Sequence, residues 1–159
     1  MKPSVYIETT IPSYLVARPS RDIVLAGHQE TTRIFWTERR QEFDLFISSY
    51  VIEESSSGEA EMAARRLDSL RGIPMLAETP EAGLLALRLI AKLGLPQKAE
   101  ADAYHIAIAA VHAMDFLLTW NCTHINNLNM FRRIEETCRE AGYTPPVIGT
   151  PEELMYSLP

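Results

Sequence analysis

The sequence predicts a three-layer α/β/α sandwich around a central, mainly parallel sheet. Two observations carry that prediction. Short runs of strand-forming residues are interleaved with helical segments of ten or more residues, and most of those segments have readable caps or stop signals. There is also no internal repeat, low-complexity tract or linker, so residues 1–159 read as a single domain.

The first strand covers residues 4–8 and ends in a carboxylate, Glu8. A long, charge-rich helix follows over residues 22–40, capped by Ser20 or Asp22. Residues 43–48 form a second strand, where Phe46 breaks the alternation as a strand covered on both faces allows. Ser49 is placed to cap a short helix over 50–55. Ser56 and Glu59 have capping-box spacing for the next helix, which runs to Leu70 and is closed by Gly72. Residues 73–76 read as a short strand, with Pro74 favouring an edge or irregular position. Thr79 as N-cap, Pro80 at the first helical position and Gly94 as the stop frame a helix ending at Leu93. The segment after Pro96 is small and apolar beyond Asp102 and reads as a heavily buried helix. Residues 116–120 are a strand, 121–127 a loop, and 128–141 a helix with Leu128, Phe131, Ile134 and Cys138 on one face, stopped by Gly142. Residues 146–149 give a last strand. Thr150, Pro151 and Glu153 then supply a full capping signature for a short terminal helix.

The composition is that of an ordinary globular chain, 47% hydrophobic and 23% charged. Lys2 is followed by no apolar signal region, and the longest apolar stretch, residues 107–114, is too short to span a membrane. A cytoplasmic location without a membrane is therefore the expectation. Cys122 and Cys138 form neither a disulfide framework nor a redox motif. The net charge of −6 argues against bulk binding to a phosphate backbone, although a carboxylate cluster that holds a cation is itself acidic. The arginine pairs Arg39–Arg40, Arg65–Arg66 and Arg132–Arg133 read first as solvated helix faces.

Open α/β sheets place their sites at the carboxyl ends of the strands, and this sorts the acidic residues. Glu8 ends the first strand, and Asn121 lies just past the 116–120 strand. Asp115 sits at the opposite end of that strand, roughly 17 Å away at 3.3 Å per residue, and is set aside. Asp102 stands in an otherwise apolar helix, where a charge must be paired, hydrogen-bonded or metal-bound; a first-turn aspartate favoured by the helix dipole is the alternative. Glu53 and Glu54 are about 100° apart on a helix, and Glu54 shares the face of Val51. Glu8, Glu54, Asp102 and Asn121 remain, an all-oxygen set suited to Mg²⁺ or Mn²⁺ rather than zinc.

Four segments in order, "ETT" (8–10), "SSYVIEE" (48–54), "ADAYHIAIAA" (101–110) and "DFLLTWNCTHINN" (115–127), resemble the PIN domain, and within it the VapC-like toxins of toxin–antitoxin systems. The resemblance implies an endoribonuclease that needs a divalent metal, often a homodimer, inhibited by a small antitoxin protein covering the cleft. It places the family's acids on Glu8, Glu54, Asp102 and Asn121. It places supporting hydroxyls on Thr9 or Thr10 and on Thr119. Glu8 and Asn121 depart from the usual aspartates: one reaches about a bond further, the other brings no charge. In the implied mechanism the three carboxylates hold the ion, Asn121 positions water or phosphate, and a phosphodiester is cleaved by in-line attack.

His105, three residues after Asp102, is a candidate to orient it; His124 is a loop residue with substrate contact as the sharper option. Trp120 reads as strand-end packing, with base stacking as the alternative. Two other functions stay open. One is a non-catalytic RNA- or protein-binding module with a weakened metal site. The other is a metal-dependent phosphatase, against which stands the lack of a second acid two residues after Glu8. The leucine-rich segment over 83–95 and the first long helix are the candidate partner surfaces.

Overall fold

Val5, Tyr6 and Ile7 are completely buried because the strand they form, β1 (Ser4–Ile7), lies inside the sheet. It pairs in parallel with β2 (Asp44–Phe46) on one side and β3 (Phe116–Leu118) on the other. β4 (Val147–Gly149) extends the sheet beyond β3, again in parallel. The computed structural model describes residues 1–156, and among these the sheet has four strands in the order β2-β1-β3-β4. Parallel pairing demands crossovers, and helices supply them on both faces, completing the predicted α/β/α sandwich.

Between β1 and β2 lie α1 (Thr10–Val16) and α2 (Ile23–Ile34). Between β2 and β3 lie α3 (Ser49–Ser55), α4 (Ala60–Ser69), α5 (Pro80–Leu93) and α6 (Glu100–Val111). α7 (Leu128–Glu140) joins β3 to β4, and α8 (Pro151–Tyr156) follows. α5 packs on α6 and α7, whereas α1 packs on α2 and α4. The chain steps from β1 outward to β2, then returns to the other side of β1 to begin β3. The topological switch point therefore lies between β1 and β3. α6 is the apolar anchor beneath it: Ala103, Ile106, Ala107, Ala109 and Ala110 are buried, and the small side chains let the helix sit close.

Caps set by short-range sequence form as predicted. Thr79 Oγ1 accepts from Ala82 N–H at 3.2 Å, and Gly94 ends α5 in the left-handed region at φ 63°. Thr150 and Glu153 cap α8 reciprocally. Asp22, not Ser20, caps α2 by accepting from Leu25 N–H at 2.9 Å; the helix then widens into a π-helical turn over Phe35–Arg39.

Other elements differ from the sequence reading. α1 is a helix that the periodicity does not announce, because Pro12 falls in its first turn, where a missing N–H is harmless. Ser48 rather than Ser49 is the cap position of α3, and its hydroxyl bonds Tyr6 instead of the helix. The Ser56–Glu59 capping box does not form: Ser56 Oγ donates back to Ile52 O at 2.6 Å, and Glu59 itself is the N-cap residue of α4. Residues 73–76 provide only an isolated parallel bridge between Ile47 and Met75, as Pro74 lacks an N–H for a longer ladder. On α7 only Ile134, Thr137 and Cys138 are buried, while Leu128 and Phe131 face solvent. Among the described residues no helix is long and apolar enough to cross a membrane.

Candidate metal centre

The carboxyl ends of β1, β2 and β3 point to one edge of the sheet, so the residues that follow them converge. Glu8 follows β1, α3 begins just after β2, and Thr119 to Asn121 follow β3. Asp115 is at the other edge, where its Oδ2 accepts from Ser4 N–H at 2.8 Å and Ser4 Oγ at 2.9 Å.

Glu8 is only 3% exposed, a costly place for a carboxylate. Three donors hold its Oε2: Thr10 N–H at 3.0 Å, Thr10 Oγ1 at 2.5 Å and Thr119 Oγ1 at 2.7 Å. Glu54 turns inward from α3 while Glu53 is exposed. Glu54 Oε1 accepts from Thr9 Oγ1 at 2.7 Å and from His105 Nε2–H at 2.5 Å. All three hydroxyls flagged by the sequence thus grip carboxylates directly. One oxygen of each glutamate is anchored in this way. The other, Glu8 Oε1 and Glu54 Oε2, has no protein donor among the described residues.

Behind this pair runs a buried chain of polar groups. His105 Nδ1 lies 2.6 Å from Tyr6 Oη, which lies 2.7 Å from Ser48 Oγ. With Nε2–H donating to Glu54, a neutral ring takes a proton from Tyr6 at Nδ1, and Tyr6 accepts from Ser48. An imidazolium reverses both inner bonds, so the chain satisfies either state. Burial pushes the Tyr6 phenol far up and keeps it neutral. His105 does not orient Asp102, as its i+3 spacing suggests; its ring turns to Glu54. His124 takes that place, with Nδ1 3.1 Å from Asp102 Oδ2. Asn121 lies beside Asp102 and favours its ionised form, while its own Oδ1 accepts from Thr123 N–H at 3.2 Å and His124 N–H at 3.0 Å.

Glu8, Glu54 and His105 offer ligand atoms that all lie within 4.8 Å of one another, so this buried acidic and imidazole cluster can hold a metal ion. The donor chemistry fits: two glutamates are fixed through one oxygen each, and the unpartnered oxygens remain for a cation. Asp102 and Asn121 stand outside that close group. Tyr6 and Ser48 belong to this polar network, and the sequence reading did not single them out. The signal for Tyr6 was a phenol inside an otherwise apolar strand, which must find a hydrogen-bond partner.

Without an ion the cluster carries excess negative charge. Burial raises Glu8 above its ordinary value against the pull of His105 and the threonines. Burial raises Asp102 likewise, against Asn121, His105 and His124. For Glu54, burial is outweighed by the His105 hydrogen bond and charge and by Thr9, so its pKa is lowered. Burial opposes charge on His105, but the Glu54 hydrogen bond and the Glu8, Glu54 and Asp102 carboxylates prevail and raise it. The raised groups contribute stability that is fully present below their unfolded pKa values and is lost as pH rises through the folded ones. The Glu54 contribution is lost only as pH falls through a value below 4.5. In chelator, the melting temperature is therefore expected to fall as pH rises from the ordinary glutamate value of 4.5 through and beyond the ordinary imidazole value of 6.5, and a saturating divalent ion should flatten that slope. A metal-free melting temperature that rises over this interval contradicts the assignment of the shifts.

Comparison of the chain with family models, with curated proteins and with solved structures finds no match.

Proposed function

We propose that the chain is a divalent-metal-dependent endoribonuclease that hydrolyses RNA phosphodiester bonds at the Glu8–Glu54–His105 cluster, using Mg²⁺ or Mn²⁺. The observation that carries this reading is the convergence of two half-anchored glutamates at the switch point of a parallel sheet. Both nitrogens of His105 are engaged, so it orients Glu54 and leaves an oxygen donor set, the kind that Mg²⁺ and Mn²⁺ prefer. The ion supplies charge neutralisation at the scissile phosphate and lowers the pKa of a water.

This chain's residues do the rest. Thr10 and Thr119 fix Glu8, and Thr9 and His105 fix Glu54. Asp102, held by His124 and Asn121, adds a third carboxylate at the entrance of α6. Asn121 acts through Asp102, because its amide oxygen is spent on the loop. The RNA substrate rests on the sequence resemblance to PIN domains, as do a toxin role in the cytoplasm, a homodimer and an antitoxin partner. Leu84 and Leu87, exposed on α5, lie in the segment considered for that partner.

A second reading, a non-catalytic RNA- or protein-binding module, is favoured by two observations. Asn121 brings no charge, and Arg39 and Arg65 are engaged by Glu42 and Glu61 rather than free for phosphate. Cleavage of single-stranded and structured RNAs with Mg²⁺, Mn²⁺ or chelator separates the two readings. Cleavage that requires metal and falls about 10- to 100-fold in Asp102→Asn is expected. A folded protein that cuts no RNA in either metal supports the binding module instead.

A further inference from the structure

Beside the metal centre, three rings from three elements stack on one another. His28 of α2 lies on Trp120 with centroids 4.1 Å apart and planes 15° from parallel. Tyr14 of α1 lies 5.8 Å from Trp120 at 9°. Trp120 is fixed at both ends: Nε1–H donates to Thr32 Oγ1 at 2.8 Å, and its backbone N–H donates to Thr10 Oγ1 at 2.8 Å. Thr10 Oγ1 in turn donates to Glu8 Oε2 at 2.5 Å. Two hydrogen bonds therefore join the ring stack to the metal cluster.

His28 and Trp120 line an open groove of about 630 Å³ together with Glu152, Glu153 and Tyr156, among others. That volume is within the range of small-ligand sites. No lysine or arginine lines the groove, and Glu152 does, so it is unsuited to a phosphate. Neither ring nitrogen of His28 has a hydrogen-bond partner among the described residues. Trp120 is only 8% exposed, so a base in the groove meets the half-buried His28 ring, backed by Trp120, with Glu152 as acceptor. This matches the chemistry of a nucleobase, a π-face with N–H and amino donors at its rim. A chain with a net charge of −6 gains little from counterion release, and stacking supplies attraction that its surface charge does not.

We propose that the groove at the His28–Trp120 pair is a nucleobase-binding subsite that seats one base of the substrate beside the phosphodiester held at Glu8 and Glu54. Its place in a reaction rests on the hydrolytic reading above; base binding itself does not.

The test uses Trp120 as its own reporter. The chain has two tryptophans, so Trp36→Phe leaves Trp120 alone. Fluorescence of this variant is followed in chelator during titration with AMP, GMP, CMP and UMP, and in parallel with ribose 5-phosphate and inorganic phosphate. The expected result is saturable quenching by at least one nucleotide, none by the two base-free ligands, and affinity about tenfold weaker in His28→Leu. In cleavage assays, His28→Leu should raise KM and leave kcat near that of the parent. No response to any nucleotide up to about 10 mM overturns the subsite. So does an equal response to phosphate, or an affinity unchanged by His28→Leu. The same Trp36→Phe protein is assayed for metal-dependent RNA cleavage. Cleavage without base binding removes the subsite alone. Base binding without cleavage supports the subsite and removes the hydrolytic role.

Discussion

Replacing Glu8 by glutamine is expected to stabilise the metal-free protein and to abolish its response to divalent ions. The two effects have one cause. Glu8 is buried at 3% exposure, and its raised pKa means that the ionised form is disfavoured in the fold. Glutamine keeps an oxygen to accept from Thr10 and Thr119 and removes the charge. The gain is expected at neutral pH, where Glu8 would otherwise be driven toward ionisation. Removing one of two half-anchored carboxylates removes much of the attraction for a cation. Thermal unfolding with chelator and with Mn²⁺ measures both effects in one experiment. A Glu8→Gln protein that is less stable without metal, or still stabilised by Mn²⁺ as the parent is, contradicts this account of Glu8.

Replacing His105 by alanine should be the most damaging single change, at about 3–5 kcal/mol. The imidazole is fully buried and joins Glu54 to Tyr6. Its loss leaves a cavity under α6, an unpartnered phenol and a carboxylate without its neighbour. For a chain of this size the melting temperature should drop by roughly 10 °C. His105→Gln, which keeps one donor, should recover part of the loss. Tyr6→Phe should be strongly non-additive with His105→Ala, because both cut the same chain. Urea unfolding of the single and double variants checks this. A cost below about 1 kcal/mol, or simple additivity, would mean that the network is incidental.

Much of this arrangement was legible from local patterns. The caps at Thr79 and Thr150 depend on residues within one turn, so the sequence displays them directly. Glu54 shares a helix face with Val51, and that one-turn relation is enough to turn it inward. The strand-end rule sends Glu8 and Asn121 to one edge and Asp115 to the other. What stayed hidden depends on contacts between distant segments. His105 meets a residue 51 positions away on one side and one 99 positions away on the other, so its i+3 spacing to Asp102 was a poor guide. The same spacing logic grouped Leu128 and Phe131 on one face with Ile134 and Cys138, but periodicity gives the direction of a face and not which end of a helix reaches the core. The orientation of the Asn121 amide is set by the turn it closes, through Thr123 and His124. Pro12 sits in the first turn of α1, a helix the sequence reading did not place.

Titration calorimetry of Mn²⁺ into the metal-free protein at pH 7.5, beside Glu54→Gln, tests the central claim most directly. The metal-centre account predicts saturable binding with a Kd at or below about 1 mM in the parent and none measurable in the variant, with protons released as binding completes ionisation of the raised carboxyls. A folded parent protein that shows no binding, or a Glu54→Gln protein that binds as tightly as the parent, would contradict a metal centre at Glu8, Glu54 and His105.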